Sequence, residues 1–161
     1  MAFHVSAATP PDYDSITQLL DAAFAPSRYE SRLVARLRAK GRLTHEWVIR
    51  DDHGVAGHVA YSPAYHGDTV IGHHLAPVAV RPDVQRRGVG TRLITASLAE
   101  IRAQHLPVFV LGDPRYYRRF GFVPIAQPTC PFDPSNEHFM ALGWTEGPAF
   151  VVGYAAAFHE S

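Results

Sequence analysis

The stretch Val80-Arg81-Pro82-Asp83-Val84-Gln85-Arg86-Arg87-Gly88-Val89-Gly90-Thr91 sets glycines and arginines between an apolar run and a segment of helical periodicity. Amides at a helix N-terminus have no partner within the helix and carry partial positive charge. Glycines at 88 and 90 allow a tight turn and leave no Cβ in a ligand's way, so a phosphate or pyrophosphate is the natural guest. Two nucleotide patterns do not fit. A triphosphate loop needs Gly-Lys-Ser/Thr where Gly90 is followed by Thr91-Arg92, and a dinucleotide fingerprint needs a third glycine where Leu93 stands. A strand-to-helix turn holding no ligand fits the two glycines equally well.

Other side chains with chemistry to offer are histidines, tyrosines and one cysteine. His45, His53, His58, His66, His73 and His74 crowd one part of the chain, but no pair has a zinc-site spacing and no cysteine accompanies them, so no metal is expected. Cys130, the single cysteine, cannot form an intramolecular disulfide, fits a reducing cytoplasm and carries no local catalytic signature. Tyr116 and Tyr117 lie downstream of the glycine turn, and Tyr116 with Phe120 four residues on reads as a core pair.

The elements that must position these residues are legible from capping and periodicity. A first strand spans 2–7, and Thr9-Pro10-Pro11-Asp12 starts a helix on which Ile16, Leu19, Leu20, Ala23 and Phe24 share a face. Ser27-Arg28-Tyr29-Glu30 is a capping box that restarts a helix toward Gly41. Leu43 to Arg50 and Val55 to Tyr61 read as a hairpin about Asp51-Asp52-His53-Gly54. Thr69 to Val80 is a long strand broken by Pro77, which marks an edge, a bulge or a parting of strands. Leu93, Ile94, Leu98 and Ile101 form one face of the helix after the turn, and Val108–Leu111 is a short strand. Asp113-Pro114 caps a brief helix ended by Gly121, and two last strands are expected around His138–Leu142 and Phe150–Ala155. The order β-αα-βββ-α-β-α-ββ implies a single α/β (α+β) domain over 1–161, a mixed sheet layered with helices.

Composition excludes several classes. At 47% apolar and 19% charged residues with formal net charge zero, the chain reads as globular, with no global attraction to nucleic acid or acidic membrane. No apolar run approaches the roughly 18 residues that span a bilayer, and the N-terminus lacks a leader pattern. Locally the balance differs: Arg81, Arg86, Arg87, Arg92, Arg115, Arg118 and Arg119 lie in a region whose acids are Asp83, Glu100 and Asp113. That suits a small polyanion.

Several segments together resemble one family. Gln85-Arg86-Arg87-Gly88-Val89-Gly90 matches the Q/R-x-x-G-x-G/A signature of the GNAT N-acetyltransferase superfamily, after the strand end Val78-Ala79-Val80-Arg81-Pro82. Tyr117-Arg118-Arg119-Phe120-Gly121-Phe122 matches its Y-x-x-x-G-F segment. Leu111 to Tyr117, Gly57 to Pro63 and Phe139 to Leu142 look like the bacterial YhbS-like branch. The resemblance covers essentially the whole chain, in order.

The resemblance implies the GNAT fold: a mixed, mostly antiparallel sheet of about seven strands with helices on both faces and its fourth and fifth strands splayed. It implies acetyl-coenzyme A as cosubstrate without a metal, and an amine acceptor, small molecule or protein, acetylated directly in a ternary complex by a cytoplasmic monomer or homodimer. Backbone at Val78, Ala79 and Val80 would pair with the pantetheine arm, and Gln85, Arg86, Arg87, Gly88, Val89, Gly90 and Thr91 would hold the pyrophosphate. Tyr117 takes the family's place for the hydroxyl facing the leaving sulfur, with a core aromatic as the other reading. His74 stands where some members carry a glutamate base; ordered water or a partly exposed imidazole without a role are the alternatives, and His73 belongs on the opposite face. The loss of that glutamate also leaves open a non-catalytic acyl-coenzyme A-binding module. Walls for the acceptor are expected from 12–40, 62–68 and 124–137, and none of them names an amine.

Overall fold

The computed structural model describes residues 2–160. Strand β1 (His4–Ala7) leads through a 3₁₀ turn at Pro10–Asp12 into α1 (Tyr13–Ala23) and then α2 (Tyr29–Ala39). The Thr9–Asp12 capping box forms, and the Asp12 carboxylate also takes Arg50 at 2.6 Å, tying the start of α1 to the next strand. Three long strands follow, β2 (His45–Asp51), β3 (Gly54–His66) and β4 (Thr69–Val80). Helix α3 (Val89–Arg102), β5 (Val108–Leu111) and the short α4 (Pro114–Tyr117) come next, then β6 (Val123–Pro124) and β7 (Phe139–Leu142).

The strands form one seven-stranded sheet in the order β1-β2-β3-β4-β5-β7-β6. All neighbours are antiparallel except β4 and β5, which run parallel and pair only at His73↔Val108 and His74↔Phe109. Beyond that point the two strands part. Pro77 lies in a bulge: Val59 opposes Val78 and Tyr61 opposes Leu75, so Ala76 and Pro77 together face Ala60. A residue without an amide proton is tolerated where the ladder is already broken.

Alternation along the strands gives each face its own helices. Ile49, Val59, Tyr61, Leu75, Val108 and Val110 pack on α3 through Leu93, Ile94, Leu98 and Ile101. Val48 and Ala79 pack on α1 through Ile16, Leu19 and Leu20. The C-terminal segment differs from the sequence expectation. Phe150–Ala155 forms no strand; its backbone pairs only through isolated bridges, Tyr65↔Gly153 to β3 and Thr129↔Val151 to the preceding loop, before a 3₁₀ turn at Ala156–His159. The segment meets β3 at Gly153 alone because it crosses a sheet face there, with Tyr154 stacked on His74, while β7 pairs with β5 and the two-residue β6, unexpected from so short a run, pairs on β7.

A buried hydrogen-bond chain seats α3. Ser97 Oγ donates to the Ile94 carbonyl at 3.1 Å, so the Tyr61 hydroxyl donates to Ser97 Oγ across 2.7 Å, and both residues are fully buried. Ser97→Ala would strand the Tyr61 donor without water, whereas Tyr61→Phe removes a donor from an oxygen that keeps its own acceptor. Ser97→Ala is expected to cost about 1–3 kcal/mol and Tyr61→Phe about 1 kcal/mol. The double variant should be less destabilised than the sum, as measured by urea denaturation.

Candidate functional site

The glycine turn forms a cradle. After a 3₁₀ turn at Pro82–Val84, Arg86 (φ +65°) and Gly88 (φ +78°) adopt left-handed conformations, and α3 begins at Val89 with Gly88 as its N-cap. Arginine in that region costs on the order of 1 kcal/mol, a strain of the kind that collects at ligand-binding turns. The Gln85 side-chain amide donates to the Val80 carbonyl at 3.0 Å and staples the loop to the end of β4. A cavity of about 290 Å³ opens here, lined by Val80, Gln85, Arg86, Gly88, Val89, Gly90, Thr91, Tyr116 and Arg119. At Gly90 a Cβ would stand 3.2 Å from Val80 Cγ2 and 3.5 Å from the Tyr116 hydroxyl, so a side chain would fill the space in front of the first-turn amides. Arg87 is not part of the lining.

The arginines near the cradle divide into two groups. Arg81 is bound to Asp51 and Asp83, and it pins the end of β4 to the β2–β3 turn; its guanidinium, with the His53 amide, holds Asp51 down at a pKa of about 2. Arg115 pairs with Asp113. Arg86 and Arg119 line the cavity. The charge available to an anion is therefore narrower than the count of basic residues suggests.

Val78, Ala79 and Val80 lie beyond the last β4–β5 pair. The Arg81 amide donates to Ala56 of β3 at 2.7 Å, so by strand alternation Ala79 also turns its backbone groups toward β3, and its side chain packs among the α1 residues. Val78 and Val80 present theirs to the gap between β4 and β5. One of those groups, the Val80 carbonyl, is already taken by Gln85.

The two tyrosines separate, since neighbours on a helix point about 100° apart. Tyr117 is buried among Val110, Phe122 and Met140, and its hydroxyl has no hydrogen-bond partner among the described residues. Burial pushes its pKa to about 12, so the phenol stays protonated. Tyr116 makes the expected edge-to-face contact with Phe120 at 5.4 Å, yet its hydroxyl reaches Thr91 Oγ1 at 3.1 Å and lines the cradle. Arg119 covers the Tyr116 ring at 4.4 Å while donating to the Tyr116 carbonyl at 2.9 Å. The sequence reading left Tyr116 in the core and did not single out Arg119; the 100° offset from Tyr117 is the signal that separates the first pair.

His74 lies on the face opposite α3. It is 1% exposed and stacks on Tyr154 with ring centroids 3.6 Å apart. Its Nε2 lies 3.0 Å from the Gly153 carbonyl, which can only accept, so Nε2 carries the proton and Nδ1 the lone pair. Nδ1 has no partner among the described residues. Desolvation lowers the pKa to about 4, leaving the ring neutral at pH 7. A second cavity, of about 140 Å³, opens beside it, lined by His74, Leu75, Ala76, Phe109, Leu111, Phe132, Tyr154 and Phe158. Its walls thus come from the parted strands, from one residue of the 124–137 loop and from the C-terminal segment. Helices α1 and α2 and the 62–68 turn contribute nothing to them. His73, on the other face as alternation requires, meets Thr44 Oγ1 at 3.0 Å and His45.

Cys130 is buried with Sγ 3.4 Å from the Tyr154 hydroxyl and lines neither cavity. Among the described residues one group has metal-ligand spacing: Asp133, Glu137 and His138, with ligand atoms within 4.8 Å of one another. It lies outside both cavities, and an Asp133 oxygen already accepts the His138 amide at 2.7 Å. No helix is long and apolar enough to cross a membrane.

The chain thus combines a mixed sheet parted between its parallel pair with a glycine-rich helix start at the parting. Residues 4–125 match the acetyltransferase (GNAT) domain family, and the chain belongs to that family. It is 32% identical to the uncharacterized N-acetyltransferase YjhQ of Escherichia coli K12, over 94% of this chain and 89% of that one. Among solved structures, Escherichia coli YhbS in complex with CoA superposes with a TM-score of 0.90 at 29% identity, covering 98% of this chain and 92% of that one. A GNAT family acetyltransferase from Brucella melitensis in complex with acetyl-CoA superposes with a TM-score of 0.83 at 35% identity, covering 98% of both chains. The expected fold, with its splayed fourth and fifth strands, is the one found.

The buried neutral imidazole has a consequence for stability. His74 binds protons less readily folded (pKa about 4) than unfolded (about 6.5), so acid favours the unfolded chain. Stability should be level above about pH 6.5 and fall by about 2–3 kcal/mol from His74 alone on going down to about pH 4. Burial lowers His73 as well, which adds in the same direction. Asp12 and Asp51, both held at about 2, lose their contribution only in a separate window below about pH 4. Denaturation midpoints between pH 7 and 4.5 should show the decline, and His74→Phe should flatten it.

Proposed function

We propose that this protein transfers the acetyl group of acetyl-coenzyme A to a primary amine, by direct attack within a ternary complex. The observation that carries the reading is the release of β4 from β5 after His74↔Phe109, with a glycine-rich cradle at one face of the gap and a largely aromatic cavity beside His74 at the other. The relatives solved with CoA and acetyl-CoA support it.

The residues present fit the coenzyme. Free amides across 86–91 face a cavity that any side chain at Gly90 would fill, which suits a pyrophosphate, with Arg86 and Arg119 as local countercharge and Gln85 fixing the loop. Within Val78–Val80 the alternation makes Val78 and Val80 the residues that pair with an added extended segment, and Ala79 a spacer whose backbone serves β3. When bound, the coenzyme supplies a thioester carbonyl and a thiolate leaving group. The Val78 amide, held by the strand, is placed to donate to the carbonyl oxygen as negative charge develops there, which is the largest single stabilisation available to acyl transfer. Tyr117 holds its proton at neutral pH and presents a hydroxyl with no competing acceptor, ready to protonate or hydrogen-bond the departing sulfur. The His74 ring, stacked on Tyr154, forms part of the wall beside which the amine would sit. With a pKa of about 4 the imidazole is better suited to positioning an amine already deprotonated through water than to taking the ammonium proton itself.

A screen of primary amines, followed by free thiol release from acetyl-coenzyme A, tests this reading. Turnover with at least one amine is expected; coenzyme binding without thiol release from any acceptor would point instead to a binding module. Tyr117→Phe should lower kcat by about 10²-fold with little change in KM for the coenzyme. Gly90→Val should raise that KM by about tenfold or more while kcat at saturation holds. An unchanged kcat in Tyr117→Phe would remove the acid role and leave the cradle intact.

A further inference from the structure

Resting on the acetyl-transfer reading, we propose that the acceptor is a monoamine carried on a phenyl-sized or branched apolar group, with no second charge. Three observations on the His74 cavity point there.

The first is size. The space is about 140 Å³. A protein cavity of about 150 Å³ lined by apolar side chains takes up benzene, so one ring or a branched four- to five-carbon group fills this one. The second is the lining. Phe109, Phe132, Tyr154 and Phe158 supply aromatic surface, Leu75 and Leu111 aliphatic surface, and no carboxylate, lysine or arginine is among the lining residues. A polyamine would bring a second ammonium, and an amino acid a carboxylate, into a place with no partner of opposite charge; each would lose its hydration without replacement. The third is His74, the one titratable nitrogen base in the lining, whose ring is buried against Tyr154 with Nε2 committed to the Gly153 carbonyl. A neutral imidazole gives no charge–charge attraction to an ammonium, and so it selects for the uncharged amine nitrogen.

Phe132 connects this cavity to solvent. It is 46% exposed, large and apolar, and it is held edge-on to Tyr154 at 4.9 Å and against His159 at 5.2 Å. An exposed aromatic fixed at a cavity rim gives an entering ring a surface to lie on, and its truncation leaves the buried core untouched. Phe132 is therefore the specificity residue.

The test uses the full chain with coenzyme A present. Calorimetric titration at pH 8.5 should detect 2-phenylethylamine and 3-methylbutylamine, and should detect neither 1,4-diaminobutane nor L-glutamate. With acetyl-coenzyme A, kcat/KM for 2-phenylethylamine should exceed that for 1,4-diaminobutane by about tenfold or more. Phe132→Ala should raise KM for 2-phenylethylamine by about tenfold with kcat within about twofold, and Phe132→Trp should restore it. Thiol release with the diamine or the amino acid but not with the apolar amines would overturn the acceptor class while leaving acetyl transfer in place. Phe132-dependent binding of 2-phenylethylamine without thiol release from any amine would support the pocket and overturn acetyl transfer. Absence of both binding and turnover with the apolar amines would overturn the proposal.

Discussion

Everything that distinguishes this molecule from an ordinary layered sheet follows from β4 and β5 being hydrogen-bonded at two residue pairs and no further. A parallel pair that continued would bury the Val78 and Val80 backbone groups in a ladder, close the gap and leave the helix start at Val89 facing a wall. The parting needs support from outside the gap. On its β3 side β4 remains paired to Val80, through a register shift at Ala76-Pro77, and beyond Val80 the Arg81–Asp51 ion pair clamps its end. On the other side β5 is held by β7 through four residue pairs. Each strand is secured on its outer edge, so the inner edges can stay apart without fraying.

The electrostatics of the two faces then diverge. At the α3 face, backbone dipoles and two arginines favour negative charge, and a staple from Gln85 fixes the loop that carries them. In the cavity at the opposite face no lining residue is an acid, lysine or arginine, and an imidazole desolvated into neutrality is stacked on an aromatic ring. Tyr117 lies in the α3-side core against Gly112, with a phenol that burial keeps protonated. A cradle lined by two arginines on one side and an aromatic cavity on the other are built around the same two strands.

What was legible in the sequence is what local geometry dictates. Gly88 and Gly90 reported a turn and a close approach because only backbone conformation is at stake, and the apolar spacing of α3 named four residues that are indeed buried. Pro77 announced the bulge for the same reason. The failures are all long-range. Phe150–Ala155 has strand composition, but it meets β3 at a single bridge and lays Tyr154 on His74. The burial of His74 depends on Tyr154 and Gly153, about eighty residues away in the chain, and no periodicity around position 74 records it. The Tyr116 ring packs on the core and on Phe120 as its spacing indicates, but that pairing does not say where the hydroxyl goes.

The central claim is that the open edge of β4 and the first turn of α3 receive one extended anionic ligand together. Amide hydrogen exchange, read residue by residue with and without acetyl-coenzyme A, tests that most directly. The account predicts slowed exchange at Val78 and Val80 and across Gly88–Thr91, by about tenfold or more, with the amides of β1 and β2 unchanged. Protection confined to the helix start, with Val78 and Val80 exchanging as before, would contradict it.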